Sequence, residues 1–129
     1  MESMIYRVSA LIDSNQERLV KKGETKEAAK LKGIEEYALE CSICKVLASE
    51  FEAYNIDEGL QIYGGMGYSG EAPMEAHYRD GRISRIYEGT NEINRMLCVG
   101  MLLKSAMKGY IDTVTINSSL KKICSTILW

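Results

Sequence analysis

Proline occurs once in this chain, at Pro73, and histidine once, at His77. So little proline leaves long helical stretches unbroken and argues against a loop-rich or sandwich architecture. A lone histidine with no Cys, Asp or Ser constellation around it gives no imidazole-activated nucleophile. No apolar run is long enough to span a bilayer, so membrane association is not evident. Glu2 and Arg7 interrupt the apolar residues at the start, where no signal peptide is visible. An excess of one charge is also lacking. The 16 basic and 18 acidic residues leave a net charge of −2, too small to point to a nucleic-acid partner.

Cysteine is present at 41, 44, 98 and 124, but not in a pattern that carries chemistry. Cys41-x-x-Cys44 would need a second ligand pair to hold zinc, and none stands at suitable spacing. As a redox motif it would need a βαβ context, and it lies in a helical stretch. The pair reads as two small apolar side chains on one helix face, with no metal expected. Nothing demands disulfides, so a reducing compartment is expected.

What is there is helical periodicity. The 129 residues suit one domain, 46% hydrophobic and 26% charged, the mix of a soluble globular protein. Ile5, Val8, Ile12 and Leu19 recur at helical spacing over about 1–20, and Gly23 suits a left-handed cap behind Lys21 and Lys22. Thr25 is the expected N-cap of a second, long helix. Ile34, Ala38, Cys41, Ala48 and Phe51 carry its apolar period, and nothing stops it before about residue 63. Four glycines between 64 and 72 predict a tight loop. Pro73 then opens a short helix to about 83. After a turn at 84–89, Thr90 caps a last helix to about 108, with Ile93, Leu97, Gly100, Leu103 and Met107 as its expected buried stripe. Beyond Gly109 the chain is harder to read: 113–116 has strand-like residues without a partner, and 120–129 suits a short helix or a tail. The expectation is an all-α antiparallel helical bundle.

Three segments bear on function. Gly65-x-Gly67-x-x-Gly70 matches the dinucleotide-binding pattern literally, but that pattern needs a preceding strand, and here a long helix precedes it. A sharp helix-to-helix turn is the better account. Arg79 and Asp80 read as an ion pair steadying the short helix. Glu88, just before Gly89 and a helix start, is on residue chemistry alone an acidic group satisfying a helix dipole. Tyr63, Tyr68 and Tyr87 read as packing or pocket-lining groups. Met96, Met101 and Met107 read as helix core, although flexible methionine also suits the lining of an acyl tunnel.

Taken together, Gln61-Ile-Tyr-Gly-Gly-Met-Gly-Tyr68, Arg79-Asp-Gly-Arg82 and Ile86-Tyr-Glu-Gly-Thr-Asn-Glu-Ile-Asn-Arg95 resemble the C-terminal helical domain of the FAD-dependent acyl-CoA dehydrogenases. The resemblance covers about 1–108. The segment 100–109 looks like the very-long-chain branch, whose members carry a further C-terminal region, and 110–129 is expected to be a tail or the start of such a region. Gly81 stands where that family usually has Ala or Ser.

The resemblance implies that Glu88 is the base that removes the α-proton of a fatty acyl-CoA thioester, in a reaction of β-oxidation. Its backbone N–H would help to polarise the thioester carbonyl. Gly89 would let the turn approach the acyl group. Gln61, Gly64 and Gly65 would contact the flavin dinucleotide of a neighbouring subunit, and Thr90 and Glu92 would lie near the pyrophosphate and adenosine portion of a flavin. The negative charge of Glu92 disfavours a direct phosphate contact by its side chain. Implied partners are an acyl-CoA substrate, an electron-transferring flavoprotein and further copies of the chain as a dimer or tetramer. The implied compartment is the bacterial cytoplasm or the mitochondrial matrix. The family's two domains that hold the flavin ring are absent from this sequence, as is the first helix of its C-terminal domain, so the bundle is expected to be incomplete and the chain alone inactive. The alternatives are an acyl-CoA oxidase, which passes its electrons to oxygen, and a non-catalytic helical oligomerisation module.

Overall fold

The computed structural model of the protein describes residues 1–109. The strand-like segment at 113–116, the segment at 120–129, the boundary expected near 109 and Cys124 lie outside the described residues. Six α-helices follow in order: α1 (Glu2–Lys21), α2 (Lys26–Glu36), α3 (Ala38–Tyr63), α4 (Gly65–Tyr68), α5 (Pro73–Arg82) and α6 (Asn91–Met107). A 3₁₀ turn at Ile83–Arg85 closes α5. No strand occurs among the described residues.

The predicted start and stop signals act as expected. Gly23 takes φ +96° behind α1. The Thr25 hydroxyl accepts from the Ala28 N–H at 3.3 Å, and the Thr90 hydroxyl accepts from the Ile93 N–H at 3.3 Å, each occupying a donor that the first helical turn leaves unpaired. Pro73 sits in the first turn of α5, where a missing N–H costs nothing.

The long helix expected to run to residue 63 is instead two. It breaks at Tyr37, whose φ of −106° and ψ of 19° leave the helical region. No proline or glycine marks the break; tertiary contacts make it. The Glu36 carboxylate accepts from Asn15 Nδ2 of α1 at 2.7 Å, tying the end of α2 to α1. Past Tyr37 the chain changes partners: α2 packs mainly on α1, and α3 mainly on α5 and α6. The glycine-rich loop differs too, since it contains the single helical turn α4. Arg79 pairs not with Asp80 but with Glu75, one turn back at 3.3 Å, because adjacent residues point to different sides of a helix.

Two units result. α1 and α2 form an antiparallel hairpin. α5 and then α6 run back along α3, as Ser84 to Glu52 (2.6 Å), Asn91 to Ser49 (2.9 Å) and Cys98 to the Leu39 carbonyl (4.0 Å) show in sequence. Among the described residues the buried hydrophobic side chains are Ala29 and Val46. The stripe predicted to bury α6 faces outward instead, with Leu97 50% and Met107 89% exposed. The face of α6 turned to α3 carries Asn91 and Asn94, both buried. Of the expected apolar positions on α2 and α3, Ile34, Cys41 and Phe51 are exposed, while Ala38 and Ala48 are half-buried.

Candidate active site

The turn that joins the 3₁₀ segment to α6 holds Glu88, Gly89 and Thr90. Glu88 has φ +55°, the single non-glycine residue among those described with a positive φ, and Gly89 follows at φ +80°. A glutamate gains nothing intrinsic from the left-handed region, and holding it there costs on the order of 1–3 kcal/mol. Such strain persists only where the surroundings over-determine it, and it concentrates at functional sites.

The surroundings here are a cluster of polar side chains at the junction of α3 and α6. Asn94 is 8% exposed. Its Nδ2 donates to the carbonyls of Gly89 (2.8 Å), Thr90 (3.2 Å) and Glu88 (3.4 Å). Lys45 of α3 donates to the Gly89 carbonyl at 2.9 Å and to Asn91 Oδ1 at 2.8 Å. Asn91, 1% exposed, also exchanges hydrogen bonds with Ser49. The single Ser49 O–H is shared between Asn91 Oδ1 and the carbonyls of Lys45 and Val46, both at 3.0 Å. The three successive carbonyls of the turn are therefore pinned from below.

Above the turn the chemistry is open. The Glu88 side chain is exposed. Among the described residues no group accepts from the Glu88 N–H, so a carboxylate and an uncommitted amide donor stand on one residue. Glu92 occupies the first turn of α6, where its own backbone N–H and then the Thr90 hydroxyl hold its carboxyl below the ordinary glutamate range. These helix-end donors are thus engaged by Glu92 and Thr90, and the side chain of Glu92 offers an incoming phosphate repulsion.

Gln61, Gly64 and Gly65 lie elsewhere. Gly64 ends α3 with φ +59°, and both glycines have open space where a Cβ would stand. The α6 turn meets α3 near Ser49, and Gly64 lies roughly 22 Å farther along the same helix at 1.5 Å per residue. A single chain thus brings together Glu88, Gly89, Thr90 and Glu92, and sets Gln61, Gly64 and Gly65 apart from them. An open groove of about 890 Å³ lies between the end of α3, α4 and α5, lined by Leu60, Gly67, Tyr68, Tyr78 and Arg82 but not by Gln61, Gly64 or Gly65. His77, Tyr63 and Tyr87 are exposed. Cys41 is exposed and Cys44 half-buried, and burial pushes the Cys44 thiol up, with help from Cys41 and Glu40.

Sequence reasoning missed Lys45, Ser49, Asn91 and Asn94. The available signal was the spacing of Asn91 and Asn94, one helical turn apart at the start of α6. What they bond to is a matter of tertiary contact.

The family model for the acyl-CoA dehydrogenase C-terminal domain matches residues 1–103, and the chain belongs to that family. It is 43% identical over 123 residues to a probable acyl-CoA dehydrogenase of Bacillus subtilis (strain 168), an alignment covering 95% of this chain and 20% of that protein. It is 49% identical over 69 residues to the mitochondrial short-chain specific acyl-CoA dehydrogenase of Bos taurus, covering 54% of this chain and 17% of that one. Among solved structures, an acyl-CoA dehydrogenase of Bacillus anthracis complexed with FAD superimposes with a TM-score of 0.80 at 42% identity, over 98% of this chain and 22% of that one. The chain thus spans only about a fifth of the length of these relatives, while sharing their all-α C-terminal fold.

Proposed function

We propose that this chain serves as the C-terminal helical part of an FAD-dependent acyl-CoA dehydrogenase that converts a fatty acyl-CoA thioester to its trans-2-enoyl product, with Glu88 taking the α-proton. The observation that carries this is the strained Glu88, held at φ +55° with its carboxylate exposed and its own N–H uncommitted. Thioester α-protons are weakly acidic. A base for them works best in a dry site, beside a donor that stabilises charge as it develops on the carbonyl oxygen. Glu88 offers both parts. Its carboxylate accepts the proton, and its backbone N–H faces the carbonyl. Gly89, without a Cβ, lets the thioester approach.

The dry walls must come from outside the described residues, because Glu88 is exposed here. The glycine-rich turn fits a dinucleotide: Gly64 and Gly65 are exposed with no atom where a Cβ would stand, and Gln61 is an exposed amide one turn before them. These three residues would hold part of FAD, which when bound supplies an acceptor for the β-hydrogen as hydride. Thr90 and Glu92 would border the flavin of Glu88 itself. The separation of roughly 22 Å along α3 between the two groups favours two cofactors per pair of chains, hence a homo-oligomer in which one copy completes the site of the next. An electron-transferring flavoprotein would take the electrons onward. The bacterial cytoplasm or the mitochondrial matrix would house the enzyme, and no helix among the described residues is long and apolar enough to cross a membrane.

The test is the visible spectrum of the complete enzyme that contains this chain. A flavin band that bleaches when acyl-CoA is added supports the reading, and Glu88→Gln should slow that bleaching by at least about a hundredfold. A Glu88→Gln variant bleaching at the parental rate refutes Glu88 as the base. A colourless protein indicates an oligomerisation module instead.

A further inference from the structure

Lys45 places a cation where a helix disfavours one. Its ammonium lies at the N-terminal end of α6, the positive end of that helix's dipole. Among the described residues it pairs with no carboxylate. Its hydrogen bonds go instead to the Gly89 carbonyl at 2.9 Å and to Asn91 Oδ1 at 2.8 Å. A local arrangement that opposes a general preference calls for a compensating role.

That role follows from where its bonds lead. The carbonyls of Glu88, Gly89 and Thr90 all turn toward Asn94 Nδ2. The Thr90 carbonyl also accepts from the Asn94 backbone N–H at 2.9 Å, so the two N–H bonds of the carboxamide serve mainly the other two, with the bond to Glu88 the longest at 3.4 Å. Lys45 adds a second donor to the Gly89 carbonyl, at 2.9 Å beside the 2.8 Å bond from Asn94. The two residues also differ in what they are anchored to. Asn94 belongs to α6, so it ties the turn only to the helix that the turn begins. Lys45 belongs to α3, the element against which both α5 and α6 pack. Lys45 therefore fixes the turn relative to the scaffold.

We infer that Lys45 is a positioning residue for Glu88: its cross-helix bond to the Gly89 carbonyl holds the Glu88–Gly89 turn in its left-handed conformation and sets the direction in which the Glu88 carboxylate is presented. The inference rests on the reading of Glu88 as the base. Without Lys45 the turn keeps only its bonds from Asn94, within α6, and loses its tie to α3, so the Glu88–Gly89 segment shifts against the scaffold and samples the common φ < 0 regions more often. The substrate then binds as before, but its α-proton is no longer aligned with the carboxylate. A displacement of about 1 Å at a reacting centre costs on the order of a hundredfold in rate.

Two measurements test this. In the 129-residue chain, Lys45→Met should speed amide hydrogen exchange in the segment 86–94 by about tenfold or more while α1 and α2 exchange as in the parent. In the complete enzyme, the same change should lower kcat by about ten- to a hundredfold, leave KM for acyl-CoA within about threefold, and enlarge the kinetic isotope effect with substrate deuterated at C2. If Lys45→Met fails to fold by circular dichroism, Lys45→Leu, which also removes the donor, carries both measurements. Unchanged exchange at 86–94 overturns the inference, as does a kcat that stays at the parental value. A Glu88→Gln enzyme at full rate would sink the reading of Glu88 itself, and the exchange measurement would then still decide whether Lys45 holds the turn.

Discussion

Replacing Asn91 by Ala should be the most damaging single change near the candidate site that leaves Glu88 in place. Asn91 is 1% exposed, the most deeply buried of the large side chains described. Its Oδ1 accepts from Lys45 Nζ at 2.8 Å and from Ser49 Oγ at 3.2 Å, and its Nδ2 donates to Ser49 Oγ at 2.9 Å. The bond from the ammonium contributes about 1.5–3 kcal/mol and the neutral exchange with Ser49 about 1 kcal/mol. Two facts limit the loss. Ser49 keeps the carbonyls of Lys45 and Val46, and Lys45 keeps that of Gly89, so neither is stranded. Alanine also regains about 0.5 kcal/mol of helix propensity.

The net expectation is a destabilisation of about 2–3 kcal/mol, or a Tm lower by roughly 10 °C for a chain of this size. Asn91→Asp keeps acceptors for Lys45 and Ser49 and adds a negative charge at the start of a helix, so it should cost less than about 1 kcal/mol. Urea unfolding followed by circular dichroism measures both. An Asn91→Ala variant within about 0.5 kcal/mol of the parent would refute the claim that a polar cluster, rather than apolar packing, joins α6 to α3. So would an Asn91→Asp variant as damaged as the alanine.

Two further outcomes are expected. Gly67→Ala should be destabilising by about 1–3 kcal/mol, because its Cβ would stand 2.7 Å from the Leu60 carbonyl oxygen and 2.8 Å from Tyr63 Cβ, and backbone cannot step aside as a flexible side chain can; urea titration measures it, and a variant at least as stable as the parent counts against the packing described at α4. Glu92 has its carboxyl held low by its own N–H and the Thr90 hydroxyl, so its contribution is fully present above the ordinary glutamate pKa of about 4.3 and is lost as pH falls through the lower folded-state value; exchange at the first α6 amides should therefore rise in that acid window, and Glu92→Gln should abolish the change.

Much of the helical outline was legible in local chemistry. Thr25, Pro73 and Thr90 mark helix starts because a hydroxyl acceptor or a missing N–H suits only that position. The break at Tyr37 was not legible, because no residue there disfavours helix; it arises where the chain trades α1 for α5 and α6 as its neighbour. The α6 stripe misled for a related reason. Its apolar residues obey helical spacing, but periodicity gives a face without naming what covers it, and in this chain the asparagine face meets α3.

Glu88 was singled out by the resemblance of its segment to the acyl-CoA dehydrogenases; residue chemistry alone gave only an acidic group at a helix start. Lys45 lies 44 residues from Gly89 and Ser49 lies 42 from Asn91, and no spacing rule connects them. By itself the sequence determined the helical class, the capped helix starts and the segments that carry the family resemblance, because these depend on interactions within a few residues. Only the tertiary structure decided that Glu88 is held in a left-handed backbone and that the glycine-rich turn stands far from it along α3, because both depend on which helices come to lie side by side.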